Sequence, residues 1–310
     1  DQEEIIQALN ALPATGGEIV ILDGTYNIAE SINIPKNNVS IRGNGNATIL
    51  KRMYNSTYMN MDSGPTARGL ITLYGKSGCK IQGLQIDGNR TTYDSSYNDG
   101  IYLYSSSNNT ITGNTCNNNR NSGIYLSSSS KNNTVTDNTC NNNYCGIYLT
   151  SSSNNTITGN TCNNDYNGIE LSSSNNDNTV TGNTCNNNIY RGIFLYSSNN
   201  NTVTGNTCNN NDDDGIYLSS SSSNNTVTDN TCNNNYCGIY LYPSSNNTVT
   251  GNTCNNSRYG IVLFSSSNNT VTGNNCNNNN YGIRLSSSSN NTVTGNTCIR
   301  GTGQTSDYAS

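Results

Sequence analysis

From residue 99 to residue 300 the apolar positions fall in short alternating runs that recur every 22–24 residues. The dipeptide Gly-Ile returns at Gly100, Gly123, Gly146, Gly168, Gly192, Gly215, Gly238, Gly260 and Gly282. One unit, starting at Gly238, reads GIYLYPSSNNTVTGNTCNNSRY. Alternation divides it into three short strands. In Gly-Ile-Tyr-Leu, Ile and Leu share one face and Tyr takes the other. In Thr-Val-Thr the Val points inward, and in Asn-Thr-Cys the Cys does. The Ser-Ser-Asn-Asn and Asn-Asn segments between them supply turns. The unit is too short for a helix pair and too rich in Asn, Gly and β-branched residues for any helix. Three strands and three corners make one coil of a parallel β-solenoid, each strand pairing with its copy one coil away at ~4.8 Å. The prediction is an all-β chain with about nine regular coils, stacking to about 43 Å at that spacing.

The inward columns are uniform. Ile101, Ile124, Ile147, Ile169, Ile193, Ile216, Ile239, Ile261 and Ile283 form the first, and Leu103 through Leu285 the second. Asn114, Asn138, Asn160, Asn183, Asn206, Asn230, Asn252, Asn274 and Asn296 mark a bend, where stacked amides can bond along the column. The N-terminal third differs. Residues 1–17 are expected to hold an amphipathic helix, with Ile5, Ile6, Leu9 and Leu12 on one face, capping the first coil. Residues 18–98 read as irregular coils with an inserted loop at 51–68, residues 99–300 as regular repeats and 301–310 as a tail.

Only 31% of residues are hydrophobic and 11% charged, with a net charge of −5. Low hydrophobicity without high charge, together with strict periodicity, favours a solenoid over disorder. The 14 basic residues give no electrostatic footprint for nucleic acid, and no apolar run is long enough for a membrane span. The chain opens on Asp1, as a mature form does once a leader is removed. Twelve cysteines and thirteen Asn-x-Ser/Thr sequons, among them Asn108, Asn132, Asn154, Asn224, Asn246, Asn268 and Asn290, point to an extracellular or cell-surface location. An Asn- and Thr-rich repeat also generates sequons by composition alone.

Two stretches carry a family resemblance. GGEIVILDGTYNI…INIPKNNVSIRGNG resembles the opening of the pectate-lyase-like superfamily of right-handed parallel β-helices. The GIYLxSSSNNTVTGNTC units resemble the β-helix repeats of NosD-like proteins and of methanogen surface proteins. The resemblance implies a single right-handed parallel β-helix, and it supports an archaeal source. It leaves function open, since the fold hosts lyases, hydrolases, epimerases, adhesins and structural proteins.

The chain contains no His. That removes His-based acid–base catalysis and His metal sites, and argues against the polygalacturonase-like and alginate-epimerase-like branches, whose motifs use His. The strongest acidic cluster lies in the turn before Gly-Ile. Arg191 and Asp214 are stacked neighbours there, Asp212 and Asp213 adjoin them, and Glu170 replaces the usual outward Tyr. Glu170 and Asp214 are expected about 10 Å apart, near the upper end of inverting-glycosidase spacing. The alternative is a solvated turn with one exposed ion pair of little energetic weight. Met53, Met59 and Met61 cluster in the inserted loop. Thioethers can bind Cu(I), and the NosD-like resemblance brings copper into consideration. Packing against the coils accounts for them more simply, and no cofactor is expected.

Cys116 through Cys298 form one inward column, expected to hold buried free thiols. Cys145 and Cys237 lie outside it, in two identical stretches. Each can staple its own turn, to Cys140 or Cys232, or bond a neighbouring chain. Tyr102, Tyr125, Tyr148, Phe194, Tyr217 and Tyr240 point outward and are expected to form a long aromatic contact face. A second copy of the chain or a glycan would fit such a face. The sequence therefore points first to a structural protein of a cell envelope, a sheath, surface-layer or filament subunit that self-associates through this face. A carbohydrate-active enzyme or glycan-binding adhesin using the same face is the alternative.

Overall fold

A computed structural model describes residues 2–56 and 68–299. It divides into two compact units, Asp1–Thr161 and Cys162–Ser310. Both are parallel β-solenoids, and together they hold about twelve turns. The count exceeds the nine regular repeats because the irregular N-terminal coils pair in the same way.

In the first unit, helix Gln2–Ala11 buries Ile5 and Leu9, while Ile6 and Leu12 are half-buried. It is shorter than the 1–17 cap expected. Gln2 fixes its start: Oε1 accepts the backbone N–H groups of Ala29 and Glu30 at 2.8 and 2.9 Å. Lys36 Nζ donates to the carbonyls of Asn10 and Leu12, satisfying groups that a helix C-terminus leaves unpaired. One parallel sheet then joins Gly17–Val20, Val39–Arg52, Lys80–Asp87, Thr110–Thr112, Thr134–Thr136 and Thr156–Thr158. A second joins Ile32–Asn33, Gly69–Tyr74, Asp99–Tyr104, Ser122–Ser127 and Cys145–Thr150. Val39–Arg52 runs through two register shifts around Gly45, so the strand extends into the segment expected to begin a loop.

In the second unit the longer strands are Asn167–Ser172, Arg191–Tyr196, Asp214–Ser219, Cys237–Tyr242, Tyr259–Phe264 and Tyr281–Ser286. They pair in register, Ile on Ile and Leu on Leu. The Thr-Val-Thr strands from Thr179–Thr181 to Thr292–Thr294 form the second sheet. The third expected strand, Asn-Thr-Cys, is a full strand only at Thr115–Asn117. Elsewhere it shrinks to single bridges such as Thr139↔Thr161 and Thr207↔Thr231, because bends on both sides leave one residue extended.

The cores match the sequence columns except in the last coil, where Leu285 is half-buried and Cys298, expected as a buried thiol, is exposed. Ile101, Leu103 and Ile111 in the first unit, and Ile216, Leu218, Val227 and Cys232 in the second, have no solvent exposure. A coil buries only about four apolar side chains, so its corners must be stable as well. Each of the three corners carries its own amide ladder. Asn138 shows the pattern: its Oδ1 accepts the N–H and Nδ2 of Asn114, at 3.0 and 3.1 Å. Its own N–H and Nδ2 donate to Asn160 Oδ1, and Nδ2 also reaches the Ile111 carbonyl. The other ladders run through Asn109, Asn133 and Asn155, and through Asn119 and Asn143. In the second unit they continue the same motif from Asn178 to Asn291, from Asn183 to Asn296, and from Asn188 to Asn279 with Ser257 inserted. The ladder amides thus give buried backbone donors in these corners an acceptor one coil away.

Candidate functional site

The site grows from the turn before Gly-Ile. A Cβ on Gly192 would meet the Gly215 carbonyl oxygen at 2.6 Å, and one on Gly215 would meet that of Gly238 at the same distance. Only glycine lets the coils approach this closely. The residue before it is drawn in with the backbone, and so Arg191 and Asp214 are buried, at 9% and 2% exposure. The solvated, exposed pair anticipated from the sequence is therefore corrected to a buried one. Arg191 Nε lies 3.4 Å from Asp214 Oδ2, and its Nη2 lies 3.9 Å from Asp213 Oδ2. Three rings close over the guanidinium, with centroids at 3.9 Å for Tyr190, 4.4 Å for Phe194 and 4.2 Å for Tyr217. Such contacts attract the cation while excluding water.

That exclusion governs the acids. Burial, reinforced by the charge of Asp213, pushes Asp214 up to about 8 against the attraction of Arg191. Asp213 is also raised, by burial, with Arg191 opposing. The phenol of Tyr217 is pushed up to about 12, chiefly by burial. Asp214 Oδ1 is buried without a hydrogen-bond partner. A protonated carboxylic acid at neutral pH is the state this environment favours. Glu170 belongs to the same unit, in the row that pairs with Phe194, and its Oε2 accepts from Asn167 Nδ2 at 2.8 Å.

The first unit holds a related cluster that sequence reasoning missed. Arg68 Nε bonds Asp99 Oδ2, and the Arg68 guanidinium lies over Tyr97, Tyr102 and Tyr125. Asp99 again precedes Gly-Ile. Its Oδ1 accepts from Asn121 Nδ2 at 2.7 Å and Ser122 N–H at 2.9 Å, so both oxygens are satisfied. Arg52, fully buried, bonds the carbonyls of Arg68 and Asp99 and the Ser56 hydroxyl. The signal for Asp99 was its place in the turn column. Nothing in the sequence brought Arg68 to it.

The outward aromatic residues need a correction too. Tyr102 and Tyr125 are buried, at 3% and 8% exposure, and Tyr148, Phe194, Tyr217 and Tyr240 are half-buried. Coil spacing brings successive rings face to face: Tyr102–Tyr125 at 5.1 Å, Tyr125–Tyr148 at 4.8 Å, Phe194–Tyr217 at 5.4 Å and Tyr217–Tyr240 at 5.0 Å. Their faces are consumed within the fold. The exposed rings lie instead at the strand's end, Tyr196, Tyr242 and Phe264, and in turns, Tyr144 and Tyr236.

Cys140, Cys145, Cys232 and Cys237 are all buried and none is in a disulfide, so neither intracoil staple is present and none of these four thiols faces a neighbouring chain. Cys145 Sγ and Cys237 Sγ lie against the carbonyls of Ile147 and Ile239 in their own strands. Met53 is 38% exposed, whereas Met59 and Met61 lie outside the described residues. Among the described residues, no helix is long and apolar enough to cross a membrane.

Stacked parallel coils with inward aliphatic columns and amide-laddered corners define a protein of the right-handed parallel β-helix class. The family model described as "Periplasmic copper-binding protein (NosD)" matches residues 25–236 and 189–307, and the chain belongs to that family. No curated protein matches it. Among solved structures, the A-module of the Azotobacter vinelandii mannuronan C-5 epimerase AlgE6 is similar over 94% of this chain and 93% of its own, at 18% identity and a TM-score of 0.69. A mutant of the periplasmic alginate epimerase AlgG is similar over 91% of this chain and 77% of its own, at 17% identity and a TM-score of 0.65. The Dettilon tailspike protein is similar over 96% of this chain and 58% of its own, at 15% identity and a TM-score of 0.57. At these identities the likeness is one of fold.

Proposed function

We propose that this chain is an extracytoplasmic scaffold of a cell envelope that self-associates through an exposed aromatic row. The periplasmic description of its family supports the location. One observation carries the reading. In the second unit Tyr196, Tyr242 and Phe264 occupy one register row at the end of the long strands, with 43%, 39% and 37% exposure. Exposed aromatic rows of this kind mark contact surfaces. Sedimentation velocity and negative-stain microscopy of the purified chain test it. Ordered assemblies that disperse in a Tyr242→Ser, Phe264→Ser variant support the scaffold; monodisperse single chains at high concentration overturn it.

A second reading rests on Asp214. A carboxylic acid still protonated near neutral pH beside a second acid is suited to general-acid work on a glycosidic bond. The structural neighbours titled as epimerases of mannuronan and alginate make acidic polysaccharides the first substrates to screen. Polysaccharide cleavage or epimerisation that disappears in Asp214→Asn would establish this reading, and inactivity across such a panel would remove it.

Copper is named in the family description, but the described residues offer no cluster to hold it. The chain has no His, and among the described residues no three His, Cys, Asp or Glu side chains gather to hold a metal. The thiols of Cys208, Cys232 and Cys254 are sealed in the core.

A further inference from the structure

We propose that one corner of the coils is a row of N-glycosylation sites. The acceptors are the first Asn of each Asn-Asn-Thr: Asn108, Asn132 and Asn154 in the first unit, and Asn200, Asn224, Asn246, Asn268 and Asn290 in the second. All eight are exposed, and all adopt left-handed backbone geometry, with φ between 56° and 62°. None of their side-chain amides makes a hydrogen bond among the described residues. The following Asn in each motif is the opposite case. Asn109, Asn133 and Asn225, for example, are buried, with Nδ2 donating to the next amide in the ladder.

Left-handed geometry explains an Asn at this corner, since Asn tolerates it better than most residues. It does not explain the sequon. Another corner holds Asn118, Asn142, Asn187, Asn210 and Asn234 in the same geometry, with φ of 56° to 60°, each followed by a ladder Asn. Two positions on stand Arg120, Tyr144, Ile189, Asp212 and Tyr236, none of them Ser or Thr. The first corner places a Thr there, at the start of the Thr-Val-Thr strand, with its side chain on the outward face; the third corner also has a Thr two positions on, as in Gly113-Asn114-Thr115 and Asp137-Asn138-Thr139, but its left-handed residue is Gly or Asp. One coil supplies a natural control: Asp177 takes the corner, with φ of 57°, and removes the acceptor.

The chemistry is transfer from a lipid-pyrophosphate-linked oligosaccharide by a host oligosaccharyltransferase. A bond forms between Asn Nδ2 and the anomeric carbon, the carbon–oxygen bond to the pyrophosphate breaks, and the amide loses one proton. Consecutive acceptors sit one coil apart, ~4.8 Å, closer than two bulky glycans can pack. Occupancy is therefore expected to skip coils.

Glycopeptide mass spectrometry of the chain purified from its native host tests the proposal. The expected result is glycan mass on these eight asparagines, none on the Asn118 and Asn142 corner, and no peptide with glycans on two consecutive coils. Thr226→Val, an outward substitution that suits a strand, should abolish the glycan on Asn224 alone. Unmodified Asn-Asn-Thr peptides throughout, or a glycan on Asn224 that survives Thr226→Val, would overturn it. The proposal rests on export of the chain, not on self-association, so the glycopeptide and sedimentation results fail independently.

Discussion

If the amide ladders hold the coils together, removing one rung has a calculable cost. Asn230 lies in the middle of its ladder in the second unit and is 1% exposed. Its Oδ1 accepts the Asn206 N–H and Asn206 Nδ2, both at 2.9 Å. Its Nδ2 donates to the Val203 carbonyl and to Asn252 Oδ1, both at 2.9 Å. In Asn230→Ala the Asn206 N–H loses its acceptor inside the core, at about 1–3 kcal/mol. Asn206 Nδ2 keeps the Val180 carbonyl, and Asn252 Oδ1 keeps the Asn230 N–H, so those losses are smaller. The sum is about 4–6 kcal/mol, counting roughly 1 kcal/mol for each of the three remaining bonds. Asn230→Ser should cost less. Its hydroxyl can accept the orphaned N–H, as Ser257 Oγ accepts from Asn235 N–H at 3.2 Å in a neighbouring ladder. Thr228→Ala, on the outward face of the adjoining strand, should change stability by no more than about 0.5 kcal/mol. Urea unfolding followed by circular dichroism gives all three values. Equal midpoints for Asn230→Ala and Thr228→Ala would refute the ladder as a source of stability.

Three further outcomes are expected. Asp214 has its pKa raised from 3.8 to about 8 on folding, so its contribution to stability is complete below pH 4 and is lost as pH rises through 8. Asp214→Asn should flatten that part of the urea midpoint against pH curve, and an unchanged slope would count against the buried acid. Gly215→Ala places a Cβ 2.6 Å from the Gly238 carbonyl and should destabilise by about 1–3 kcal/mol or more, measured by the same denaturation. Cys145 and Cys237, at 1% and 2% exposure, should resist alkylation until the chain unfolds; peptide mapping that finds them labelled under native conditions would contradict their burial.

The aliphatic and thiol columns were legible because alternation and a fixed repeat assign each letter a face. Of the three ladders, only the one from Asn114 to Asn296 is legible in the sequence. In Asn108-Asn109 and Asn118-Asn119 the same letter plays two parts: the first residue turns outward in left-handed geometry, and the second enters the core. Composition cannot separate them; corner backbone geometry does. The same limit explains the cysteine staples. Cys145 and Cys237 precede Gly-Ile, the position that also buries Asp99, Arg191 and Asp214. Their coil's close approach draws them inward, against their own strand instead of toward Cys140 or Cys232.

The charges in that turn read as solvated because the sequence does not reveal what covers them. Tyr190 comes from the turn, Phe194 from the same strand and Tyr217 from the next coil, and all three meet over Arg191. In the first unit the covering cation comes from Arg68, 31 residues from Asp99. Comparing the two acids sharpens the argument. Asp99 has three donors, Arg68, Asn121 and Ser122, and both oxygens are bonded. Asp214 has a single long bond, from Arg191 Nε at 3.4 Å, and one oxygen with no partner. The backbone gives part of the reason: Ser122 N–H turns to Asp99 Oδ1, whereas Cys237 N–H is taken by the Asp213 carbonyl. A fold able to satisfy the first acid completely leaves the second incomplete at a cost in stability. Any chemistry in this chain should therefore be sought first at Asp214, ahead of Glu170, whose carboxylate already has a donor in Asn167.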